Sequence, residues 1–228
     1  MIDDPHGQAP PGRVQVAWAA TGALTVILFA GGLVFGDLLG TTNFPPLNAT
    51  AAALRRYFER NVTEVRALSL FHLLAAVTLA AFAAYLSVRL RDGGSRLAAL
   101  ALAGGILGAG FLALSALCYR VLAEPAVAGD PSLSHALVVL SYLAGGPAIG
   151  APLALTAAAV AAARGALGLP RWLQALSALA AVLGLASAAT MAGPTNNSSA
   201  LYGLLLIAAV VLFAWLVATS AALVRALS

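Results

Sequence analysis

Four side chains capable of acid–base or metal chemistry fall inside or at the ends of apolar stretches of this chain: Asp37, His72, Cys118 and His135. Ionisable groups are costly inside a membrane, so each one found there raises a functional hypothesis. His72, His135 and Asp37 together form a donor set for zinc or a similar divalent cation. The histidine pair alone could ligate haem axially, and a His/Asp pair could relay protons. No local motif supports any of these, since HExxH, CxxCH and a second histidine one turn from His72 are all absent. Asp37, Tyr119 and His135 also suit plain interfacial positions at helix ends, which leaves His72 the hardest to place without a role. The expectation is therefore no cofactor, with haem or a divalent metal as the minority alternative. GxxxxGK[ST] and GxSxG are absent as well, so an enzyme is the less favoured reading.

Whether these residues meet depends on the scaffold, and composition fixes its class. Of 228 residues, 61% are hydrophobic and 9% charged, with a mean hydropathy of +0.95. Soluble chains are about a quarter charged. A soluble enzyme, a nucleic-acid binder and a disordered linker are all excluded, and an integral membrane protein remains. All twelve basic residues are arginines, set in ones and twos at the ends of apolar runs. They form no stripe that could track phosphates, so the net charge of +4 implies no nucleic-acid partner. The single cysteine cannot form an internal disulfide.

Residues 1–15 are polar and rich in proline and glycine, and read as a flexible tail ahead of a transmembrane domain over 16–228. Six apolar runs follow: Val16–Phe35, Ala67–Val88, Leu97–Leu117, His135–Ala163, Leu173–Met191 and Leu201–Val224. Each approaches or exceeds the ~20 residues a helix needs to cross a bilayer. The expected fold is an all-α polytopic bundle of six spans. The fourth run is too long for one straight span and carries GGPAIGAP, so a kink or break is expected at Pro147 or Pro152. A bent helix is the favoured form, and a discontinuous helix lining a binding site the alternative. The short, basic loops RLRDGGSR and RGALGLPR indicate that both termini face the cytoplasm. Under that topology Asp37, His72, Cys118 and His135 share one layer in the outer leaflet.

Between the first two spans, residues 49–62 read as a short amphipathic helix, with Leu54, Tyr57 and Phe58 on one face. It either lies on the outer leaflet or caps the bundle. Close helix packing is expected at Gly32, Gly36, Gly104, Gly108, Gly146 and Gly150, spaced as GxxxG pairs. Trp18 and Trp172 would anchor the inner face and Tyr57, Tyr119 and Tyr202 the outer, leaving Tyr142 and Trp215 to pack more deeply.

The segments PPLNATAAALRRYFERN, RLRDGGSRLAALALAGG and LPRWLQALSALAAVLGL carry a resemblance. Through them the chain resembles a group of six-helix membrane proteins from high-GC bacteria. The resemblance implies a bacterial inner-membrane location and the same topology, and brings no activity or catalytic residue with it. A non-enzymatic structural or accessory membrane component is the favoured function. The rivals are a small-molecule transporter or ligand-binding bundle, and a metal- or haem-binding membrane enzyme. The expected partners are the lipid bilayer and a membrane protein or a second copy of the chain.

Overall fold

A computed structural model describes residues 11–40, 44–46, 49–163, 165–192 and 200–227. The elements run α1 (Pro11–Leu39), α2 (Ala51–Arg60), α3 (Val62–Asp92), α4 (Ala98–Leu122), α5 (Pro125–Ala128), α6 (Pro131–Gly145), α7 (Pro147–Ala162), α8 (Arg171–Ser187) and α9 (Ala200–Arg225). A 3-10 turn, Ala188–Ala192, extends α8. No strand occurs among the described residues. Six segments are long and apolar enough to cross a membrane, with α6 and α7 sharing one crossing over Pro131–Ala162. The protein is thus an all-α six-span bundle. Residues 11–15, expected in the tail, already belong to α1, since proline is tolerated in a helix's first turn.

Lipid supplies no hydrophobic drive between helices, so close backbone approach and interhelical hydrogen bonds must hold such a bundle. Gly104 of α4 meets the Pro152 carbonyl of α7, and a Cβ there would stand 2.7 Å from Thr156 Oγ1. That threonine donates to the Ala101 carbonyl at 3.1 Å. Gly150 of α7 and Gly184 of α8 face one another, and a Cβ on either would come within 2.8 Å of the other's carbonyl oxygen. Gly108 and Gly32 are also close-packed, against Leu153 and Phe71. Trp215 of α9 is fully buried and donates its indole N–H to Ser177 of α8 at 2.9 Å. Between α1 and α9, the Ser220 hydroxyl donates to the Ala19 carbonyl and accepts the Ala23 N–H at 3.0 Å. That contact joins the beginning of α1 to the end of α9, so both lie at the same end of the bundle.

The fourth span is broken rather than bent. Gly146 departs from helical geometry at φ −120° and ψ −95°, although its N–H still reaches the Tyr142 carbonyl at 2.9 Å. Pro147, which has no N–H to give, opens α7 as a new helix. Pro152 sits within α7, where it supplies the carbonyl that Gly104 approaches.

At the opposite end from Ser220, α2 forms a cap. Thr50 accepts the Ala53 N–H at 3.3 Å and starts the helix. Leu54, Tyr57 and Phe58 are buried together with Val65, Leu122, Ala128 and Val138 of α3–α6. The apolar face of α2 is therefore covered by protein, which is the capping arrangement of the two expected.

Candidate functional site

Below the α2 cap lies a cavity of about 460 Å³. It is bounded by α1, α3, α4, the α6–α7 break and α9. Gly145 and Gly146 line it at the break, where the chain offers backbone in place of side chains. Most of the wall is hydrocarbon, including Leu68, Leu112, Leu205 and Leu212.

One imidazole stands in that wall. His72 of α3 is only 3% exposed. It stacks flat on Phe29 with centroids 4.6 Å apart and planes 4° apart, and meets the edge of Tyr119 at 5.8 Å. Neither Nδ1 nor Nε2 has a hydrogen-bond partner among the described residues. The neighbouring hydroxyls are already used on main chain: Ser115 donates to the Ser141 carbonyl at 2.9 Å, Ser141 to Val138 at 2.8 Å, and Ser187 to Gly184 at 2.7 Å. These three serines thus spend their hydroxyls on main chain, and the imidazole has no hydrogen-bond partner among the described residues.

Glu64 is a second buried ionisable group lining the cavity. It lies two turns before His72 on the same face of α3, ~12 Å along the axis at ~1.5 Å per residue. Its Oε1 accepts the Tyr57 hydroxyl, so the cap helix reaches down onto the carboxylate. Sequence reasoning missed Glu64 because it began the second span at Ala67, whereas α3 begins at Val62. Stepping back from His72 by four and eight residues reaches Leu68 and Glu64, and that helical spacing was the available signal.

The other expected site residues go elsewhere. Cys118 is buried in α4 but does not line the cavity, and His135 is exposed near the start of α6. The side chain of Asp37 lies outside the described residues, while its neighbour Gly36 lines the cavity beside Glu64. His72 therefore enters the cavity without His135. Among the described residues no three His, Cys, Asp or Glu side chains are grouped to hold a metal ion. Of the expected helix-break residues, Pro147 is buried directly behind Gly146, and Gly146 and Gly150 both line the cavity. Tyr142, expected to pack, and Tyr202, expected as an interfacial anchor, also line it.

Outside the spans, the charged groups at the capped end are tied together. Glu124, just after α4, accepts a hydrogen bond from Arg120 and lies 3.7 Å from Arg66 of α3. Chiefly through that Arg120 hydrogen bond, its carboxyl is held below the ordinary value. No protein-family model, curated protein or solved structure matches this chain. A functional reading therefore rests on the chemistry of the cavity.

Proposed function

We propose that this protein is a membrane-embedded binding bundle, holding a lipophilic small molecule in the cavity with a hydroxyl or carbonyl of that molecule against His72. The observation that carries this reading is the imidazole itself. A buried polar group without a partner costs about 1–3 kcal/mol, and a leucine would fill the same place on α3 without that cost. A neutral imidazole offers one N–H donor and one lone-pair acceptor, which a hydroxyl can match on either side. The volume of about 460 Å³ falls in the ~300–1,000 Å³ range of small-molecule sites, which are mainly apolar with few polar groups. Short basic loops at the end opposite α2 support a cytoplasmic placement of that end, with the cap outward. A structural or accessory role draws support from the glycine contacts among α4, α7 and α8, yet it leaves the unmatched histidine unexplained.

The test is to purify the protein in mild detergent and identify what it carries by native mass spectrometry. Wild type is expected to retain an apolar molecule with an oxygen-bearing head, and His72→Leu to lose it while remaining folded. An empty wild-type protein that shows no thermal shift with long-chain alcohols or long-chain quinones would falsify the proposal.

A further inference from the structure

The route into the cavity says where its ligand comes from. Toward the α2 end aromatic rings stand over the cavity: Phe44, which lines it, packs at steep angles to Tyr57 at 5.1 Å, Phe58 at 6.2 Å and Tyr119 at 6.1 Å. Phe58 is fully buried beneath α2. Toward the other end the cavity stops on Leu79, Leu153 and Leu216, all buried. Among the described cavity-lining residues, only two are exposed: Leu33 of α1 at 50% and Leu206 of α9 at 49%. Both belong to crossing helices, at the height of the cavity, and both are leucines.

Along the α1–α9 seam the reason is visible. The helices are tied by Ser220 to Ala19 and Ala23. Further toward the cap they meet again through Phe29 and Phe213, with centroids 5.1 Å apart. Leu33 lies one helical turn beyond Phe29 and Leu206 two turns beyond Phe213, both on the capped side of that ring pair. Phe29 is also the ring on which His72 stacks. The Phe29–Phe213 contact therefore stands between the two exposed leucines and the unmatched imidazole.

We infer that the cavity opens sideways between the exposed Leu33 and Leu206 through a lateral portal, and that the ligand is a membrane-resident lipid: a long hydrocarbon chain with a hydroxyl or carbonyl head, drawn from the leaflet on the capped side. This inference rests on the binding reading above. The chain passes between α1 and α9, the head reaches His72, and Phe29 and Phe213 form the sill of the opening. A water-borne ligand would instead enter from the capped end, past Phe44 and the rings packed against it.

The experiment uses full-length protein reconstituted in vesicles that contain a long-chain fatty alcohol bearing a photoactivatable diazirine in its chain. Labelled residues are mapped after irradiation. In wild type, label is expected on Leu112, which is buried in the cavity wall. Leu33→Trp combined with Leu206→Trp, both at lipid-facing positions, should lower that labelling several-fold without lowering the melting temperature. If the double variant fails to fold, Leu206→Trp alone serves. Equal labelling of Leu112 with the portal blocked, and increased labelling when the capped end is opened by Phe44→Ala, would overturn the portal while leaving binding intact. No label on Leu112 in wild type would instead remove the binding reading itself.

Discussion

The α4–α7–α8 side of the bundle and the cavity beneath the cap are built from the same residue types and differ in what is left between their helices. On the first side glycine brings backbones into contact, as at Gly104 and Gly184, and buried hydroxyls complete hydrogen bonds between helices, as Thr156 does with Ala101. Around the cavity, Gly145 also packs closely on Ser115 and Gly146 on Leu205, yet a volume of about 460 Å³ remains between the helices and the His72 ring has no hydrogen-bond partner among the described residues. On the first side small residues bring helices together and so serve stability. Beneath the cap an unmatched imidazole stands beside open volume, which is the arrangement of a place kept for something else.

Enlarging one small residue on each side breaks this comparison most sharply. Gly104→Leu drives a side chain into the Pro152 carbonyl, a backbone group that cannot swing aside. Overpacking of this kind costs ~1–3 kcal/mol or more. At ~2–4 °C per kcal/mol for a chain of this size, the melting temperature should fall by several degrees or the protein should fail to assemble. Ala209→Leu, on the cavity wall, should leave the melting temperature of the empty protein near that of empty wild type and abolish the thermal shift a long-chain alcohol produces. Thermal unfolding in detergent measures both. Equal losses at the two positions would mean that the cavity is packed as tightly as the rest.

Removing one polar group from each side is the next test, and the signs should differ. Ser177→Ala deprives the buried Trp215 indole of its acceptor; interhelical hydrogen bonds in membrane proteins average ~0.6 kcal/mol and reach ~1.7 kcal/mol, so a small loss is expected. His72→Leu removes a buried imidazole that has no hydrogen-bond partner among the described residues and keeps an apolar side chain against Phe29, so the empty protein should melt at the same temperature or higher. Destabilisation by His72→Leu in protein shown to carry no ligand would place a hidden structural contact on the imidazole.

The sequence showed the scaffold more clearly than the site, for a physical reason. Span length and hydropathy follow from bilayer thickness alone, so six crossings, the α2 face of Leu54, Tyr57 and Phe58, and a disruption near Pro147 were all legible. Which face of a crossing helix turns inward is weakly encoded when alanine and leucine surround it. His72 stood out as an oddity, but its partners were misjudged: His135 is exposed, and Glu64, lost to a boundary set five residues too late, lines the cavity instead. The Gly150–Gly184 contact was half visible, because Gly184 lacks a glycine four residues away.

The smallest expected effect lies at the rim that joins the two regions, where Glu124 bridges Arg120 of α4 and Arg66 of α3. Arg120, and more weakly Arg66, hold the Glu124 carboxyl below its ordinary 4.5. The folded state therefore binds this proton less readily than the unfolded chain does. Its stabilisation is present in full above the ordinary value and is lost as pH falls through the lowered one. Glu124→Gln should flatten the decline in melting temperature over that acidic window and change little at neutral pH. These side chains are about half exposed, so high salt should shrink the difference between wild type and variant. A Glu124→Gln effect that persists undiminished in high salt would mean that the group acts through packing of the α4–α5 turn, and the electrostatic account would be withdrawn.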